Sequence, residues 1–200
     1  MTGISDDNYF DRGMYSYLKE RIKHAVRFRH KRGYGVHSPF MFNLILNVIR
    51  DKGKRFDYPR TIERQGKYGH RERKLFRLLY RLAFYLKCRN ILCSGRYAET
   101  LVTYLSYLSQ EKQIGTDKAE IEQADFIFIG RDAGILEGKL FIAGCNEARC
   151  IVIMDIYKNK ANARLWRKGK SEAKVAVDMM WYGILFFDPK LQPGRYNLMI

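Results

Sequence analysis

Nowhere does the chain sustain the roughly 18 consecutive apolar residues that cross a bilayer, which argues against a membrane-spanning helix. Residues 1–7 lack the basic stretch and apolar core of a signal peptide, so a cytoplasmic protein is expected. Cysteine is scarce: Cys88, Cys93, Cys145 and Cys150 are all there is. Each neighbouring pair has four intervening residues, not the two of a zinc or redox motif. Reduced, mostly buried thiols are expected, with a metal or disulfide role as the alternative. Internal repeats and low-complexity segments are missing too.

Acidic residues are thin in one half only. Residues 1–90 carry 22 Lys and Arg against 8 Asp and Glu, and residues 91–200 carry 15 against 13. The net charge of +16 therefore belongs to the N-terminal part, whose field attracts anions: nucleic acid, an anionic membrane surface or an acidic partner. Charge by itself does not choose among them. A hydrophobic share of 46%, with 14% aromatic, marks a globular chain able to bury a core.

Residues 8–32 read as a basic amphipathic helix, in which Tyr15, Leu18, Ile22, Ala25, Val26 and Phe28 recur at near-helical spacing. Gly33 and Gly35 end it. Ser38 and Pro39 then make a helix start, a capping hydroxyl before a proline in the first turn, and the apolar pattern continues through Ile49. Residues 51–70 are polar and charged and predict an exposed connection. A long helix is expected over residues 72–86, with Leu75, Leu78, Leu79, Leu82 and Phe84 to Leu86 on one face and Arg71, Arg73, Lys74, Arg77 and Arg81 on the other.

From residue 90 onward strands and helices alternate. Residues 90–94 form a short apolar strand, residues 98–109 a helix, and residues 125–130 and 150–155 strands apolar on both faces, as in the middle of a parallel sheet. A short helix over residues 159–168 turns Leu165 and Trp166 inward. Residues 173–180 and 183–188 are two strands joined so closely that they must pair antiparallel, and residues 197–200 extend that edge.

Parallel βα units closed by an antiparallel hairpin form the architecture of class I S-adenosylmethionine-dependent methyltransferases. Over roughly residues 25–200 the chain resembles a bacterial subgroup of them. The resemblance is carried by Arg29 and His30, by the leader motif Gly35, Val36, His37, Ser38, Pro39 and Phe40, and by a C-terminal block of Asp155, Tyr157, Trp166, Val175 to Asp178 and Gly183 to Phe187. It implies a three-layer Rossmann-like α/β sheet, truncated in the middle and ending in a hairpin. The leader and linker would occupy residues 1–70 and the methyltransferase domain residues 71–200. It also implies S-adenosylmethionine as cofactor and a small molecule as methyl acceptor.

The residues at the family's chemical positions are eroded. After the first strand the pattern asks for an acid, a spacer, a glycine and a second glycine four residues on. These positions hold Cys93, Ser94, Gly95 and Glu99, and a carboxylate at Glu99 repels the cofactor's own. Only about 15 residues separate residues 109 and 125, too few for the usual strand, helix and strand. Gln113 to Gly115 could be a vestigial strand, and Asp117 is the candidate for the ribose-binding acid. The acids that hold magnesium in metal-dependent members are reduced to Gly130, with Asp132 displaced, and a single Asp155, so no metal site is expected.

Candidate cofactor contacts are thus Gly95, Ser94 and Asp117, and the candidate catalytic residue is Asp155. His37 and Ser38 either line the cleft or only start a helix. Gly95 would serve a tight turn with or without a ligand, and Asp155 could equally be a turn acceptor. Tyr34, Tyr68 and Tyr97 lie near cations, an arrangement suited to stacking on bases, although 14 tyrosines make such proximity common. The basic faces at residues 19–32 and 71–81 read as solvated surface, anion site or, for the leader, membrane-surface helix. The reading is a methyltransferase-like protein whose catalysis is weakened or lost. The alternative is a non-enzymatic basic module that binds nucleic acid or another acidic partner, an unknown protein included.

Overall fold

The computed structural model describes residues 17–19, 21–22, 38–50, 55–108, 112–116, 124–133 and 148–198. Most of the expected leader helix, with Tyr34, lies outside them, although residues 17–19 and 21–22 are helical. The period-two apolar pattern of the C-terminal half builds one seven-stranded sheet. Its strands are β1 (Asn90–Ser94), β2 (Gln113–Gly115), β3 (Phe126–Ile129), β4 (Cys150–Met154), β5 (Val175–Asp178), β6 (Tyr182–Phe186) and β7 (Gly194–Asn197), arranged β2-β1-β3-β4-β6-β5-β7. Only β6 runs against the others, pairing antiparallel with β4 and β5.

Alternation sorts the strand residues onto two buried faces. Ile91, Cys93, Phe126, Phe128, Val152, Val175, Val177, Ile184 and Phe186 share a core with three helices: α1 (Pro39–Leu44), α3 (His70–Tyr85) and α4 (Ala98–Ser106). Leu92, Ile127, Ile129, Ile151, Ile153, Ala176 and Leu185 face the other way, against Trp166 of α5 (Lys160–Glu172). The result is a three-layer α/β sandwich. Going from β1, the chain pairs first with β2 on one side and later with β3 on the other, so the order reverses between β1 and β3.

Several expected elements differ in detail. The segment over residues 51–70 is not a bare exposed connection. It contains α2 (Arg60–Gln65) and buries Tyr58 and Glu63. Glu63 accepts Nε and Nη2 of Arg77 at 2.8 and 2.6 Å and the Tyr104 hydroxyl at 2.7 Å. Burial alone would raise its pKa, but those bonds outweigh it and hold the carboxyl below its ordinary value. A hydrophilic sequence looks exposed until a partner on the next helix neutralises it. Gln113–Gly115 is a true strand, in parallel register with β1, and the final edge strand is Gly194–Asn197 rather than residues 197–200.

Past Leu44, α1 widens into a π turn over Ile45–Ile49. The carbonyl of Val48 lies in the last turn, where the helix supplies no donor, and the buried Arg81 takes it through Nε at 2.5 Å while its Nη1 reaches the Tyr58 hydroxyl at 2.9 Å. The N-terminal helices are thereby fixed to the sheet domain by a buried cation as well as by apolar packing.

Candidate functional site

In open α/β sheets ligands lodge beyond the C-terminal ends of the strands, where the strand order reverses and adjacent loops part to opposite faces. Here that place is the gap between the loops after β1 and β3, and the two loops do not part. Gly130 N–H donates to the Ser94 carbonyl and Arg96 N–H to the Arg131 carbonyl, both at 2.7 Å, carrying the β1–β3 ladder past the strand ends. Gly95 has φ 75°, and a Cβ built there would stand 2.7 Å from the Arg131 carbonyl oxygen and 2.9 Å from Ala133. A Cβ on Gly130 would stand 2.4 Å from the Arg96 carbonyl oxygen. The close backbone approach that a glycine permits is used by one loop on the other.

The polar side chains at this edge are engaged in the same way. Asp155, buried after β4, accepts Nε and Nη2 of Arg131 at 2.8 and 2.7 Å, and that bond raises the arginine's pKa. Its backbone turns left-handed, φ 52°, and its carbonyl accepts the N–H groups of Lys158 and Asn159. The acceptor in the turn is the backbone carbonyl of Asp155, and its side chain is paired with Arg131. Asn162, fully buried in α5, donates through Nδ2 to the carbonyls of Gly130 (3.0 Å) and Met154 (2.7 Å), clamping β3 to β4. Asp178 receives the Tyr157 hydroxyl and the Met180 N–H.

Four non-glycine residues just beyond strand ends are left-handed: Tyr97 after β1, Asp132 after β3, Asp155 after β4 and Met180 after β5. Such conformations cost on the order of 1–3 kcal/mol each and persist where the surroundings over-determine them. They gather at the edge where doubly wound folds keep their ligands. Above it, Trp181 in the β5–β6 turn lies under the Arg71 guanidinium at 4.0 Å and the Lys158 ammonium at 4.9 Å, with Tyr17 of the leader 5.8 Å away. Tyr97 is held by Phe76 and Tyr68 on its ring and by Glu72 on its hydroxyl, and the Tyr68 hydroxyl bonds Thr100 Oγ1 at 2.8 Å.

Of the candidate residues, Ser94, Gly95 and Asp155 share this edge. Asp117 and His37 lie outside the described residues. Ser38 caps α1 through Oγ, accepting the Met41 N–H at 3.4 Å. Phe40, two residues on, meets Phe186 edge-on at 5.0 Å, and Phe186 pairs with Cys150 at the start of β4, the far end of that strand from Asp155. The helix-start reading suits Ser38. Burial pushes the thiols of Cys88 and Cys93 up to about 12 and that of Cys150 well above its ordinary value, so they stay protonated and poor as nucleophiles or metal ligands. Among the described residues no three His, Cys, Asp or Glu side chains group as a metal site, and no helix is long and apolar enough to cross a membrane.

Reading residues in chain order missed Arg131, Asn162 and Trp181, and placed Arg71 only on a basic helix face. Nothing periodic marks them; the only signal for Arg131 was a cation next to Gly130 at a strand end. The backbone cradle that S-adenosylmethionine would need after β1 is occupied by a neighbouring loop, a poor fit to the cofactor, and the candidate catalytic acid, Asp155, is held by a guanidinium. No protein-family model, no curated protein and no solved structure matches the chain.

Proposed function

We propose that this chain is a class I methyltransferase-like scaffold that has lost turnover and serves as a non-catalytic interaction protein. Support for the scaffold comes from parallel βα units closed by an antiparallel hairpin, with β6 inserted between β4 and β5. Support for the loss comes from one observation above all. The bonds from Arg96 to Arg131 and from Gly130 to Ser94 close the crevice in which an adenosyl group would lie. Isothermal titration with S-adenosylmethionine tests this: no binding tighter than about millimolar is expected, and micromolar affinity would overturn it.

A second reading concerns what the scaffold does instead. The excess of 22 Lys and Arg over 8 Asp and Glu in residues 1–90 favours a polyanionic partner such as nucleic acid. The attraction would be long-ranged and salt-sensitive, because counterions are released when phosphates are neutralised.

A further inference from the structure

At the opposite, N-terminal edge of the sheet lies an open groove of about 880 Å³, within the size range of ligand sites. Arg55, Lys87, Arg89 and Lys112 line it together with Phe56 and Phe84, and among the described residues no Asp or Glu is in the lining. Three separate stretches of chain, before α2, between α3 and β1, and before β2, converge to supply these cations. The Phe84 ring is 57% exposed and is braced edge-on by Phe56 at 5.4 Å, so it presents an aromatic face to the solvent instead of joining the core.

The turn that carries two of the cations is rigid. Asp125 accepts the backbone N–H groups of Arg89 and Asn90 at 2.8 and 3.1 Å, so that acid is engaged by the backbone. Lys112 Nζ donates to the Cys88 carbonyl at the floor. Lys87 stands at φ 53°, just past the end of α3, where the Lys87 and Cys88 N–H groups bond back to the Phe84 and Ala83 carbonyls. That helix-ending position relaxes with glycine. A lysine there strains the backbone and places an exposed cation at the rim.

We propose that this groove binds single-stranded nucleic acid, with an unpaired base stacked on Phe84 and the flanking phosphates on Lys87, Arg89 and Arg55. Aromatic faces interleaved with cations are how proteins hold unpaired strands, because every base has a π-face and every nucleotide a phosphate. A duplex keeps its base faces stacked and offers Phe84 nothing. The proposal rests on the polyanion reading above and assigns it a place.

The test is fluorescence anisotropy of the full chain with a labelled single-stranded oligonucleotide across a salt series. Phe84→Ala is expected to weaken binding roughly fivefold to a hundredfold, the loss of one base–aromatic stack. Lys87→Ala with Arg89→Ala should lower the log–log salt slope by about 1.4, at about 0.7 per phosphate contact on a single strand. Lys87→Gly is relaxed at its φ and should keep or raise the melting temperature while weakening binding, which separates the effect from misfolding.

Arg164→Ala with Lys168→Ala makes the same charge change on exposed positions of α5, across the sheet, and should have little effect. Wild-type binding that the α5 pair weakens as much as the groove pair would overturn the groove and leave the polyanion reading standing. No binding by the wild type at low salt would overturn both. Equal or tighter binding of duplex, of free nucleotide or of anionic phospholipid vesicles would overturn the single-strand assignment.

Discussion

The two ends of the sheet treat polar residues in opposite ways. At the C-terminal edge most polar groups are satisfied by a neighbour: Asp155 by Arg131, Asp178 by Tyr157, Gly130 by Ser94, and the carbonyls of Gly130 and Met154 by Asn162, whose own buried Oδ1 has no hydrogen-bond partner among the described residues. At the N-terminal edge four cations border one groove beside an exposed aromatic ring. Groups bonded to one another make an edge stiff and chemically quiet. Like charges held around a shared hollow attract a ligand of opposite sign. In a doubly wound fold ligands are expected at the first edge; the proposed groove lies at the second.

The largest effect should come from breaking the closed edge. Gly130→Ala drives a Cβ into the Arg96 and Ser94 backbone and should cost about 3 kcal/mol in chemical denaturation, the upper range for overpacking without room to relax. A neutral result would mean that the two loops are free to separate. Next is Arg131→Met, which strands the buried Asp155 carboxylate. Losing one member of a fully buried pair costs about 3–5 kcal/mol, but Arg131 is 39% exposed, so about 2 kcal/mol is expected after allowing for solvent screening. Oligonucleotide affinity at the far edge should not change. A matching loss of binding would show the two edges to be one coupled unit.

Glu63→Gln sharpens the comparison from a third place, the buried bonds to Arg77 and Tyr104, and should cost about 1.5 kcal/mol at neutral pH. Because the folded pKa of Glu63 lies below its ordinary value of 4.5, its contribution is complete above that pH. It disappears as the pH falls through the lower folded value. The wild type should therefore lose stability on acidification below about pH 4.5 more steeply than the variant does. Parallel acid profiles would remove Glu63 from that role.

Much of the fold was legible in order along the chain. The doubly apolar strands at β3 and β4, the helix of α3 and the C-terminal hairpin follow from local periodicity, and each appears within a few residues of its expected bounds. The short β2 was legible only as a fragment, because three residues carry too little periodicity to separate strand from loop. Residues 51–70 misled for a different reason. Glu63 and Arg77 are ordinary surface residues in sequence, and only the fold brings them together with Tyr104 in a buried bond. The candidate site divided likewise. Gly95 and Asp155 were found as residues, but whether they face a ligand or each other's loops is a question of pairing across the sheet.

The sequence on its own determined the layers, the alternation of buried faces and the concentration of positive charge in the first 90 residues. These depend on side-chain type at a fixed spacing, which any segment of chain expresses locally. Only the tertiary structure decided that Arg131 reaches Asp155, that the Gly95 and Gly130 loops interlock, and that Arg55, Lys87, Arg89 and Lys112 meet at one groove. Each of those depends on where segments far apart in the chain come to rest, because hydrogen bonds need contact in space and Coulomb forces strengthen with proximity in space, whatever the separation in sequence.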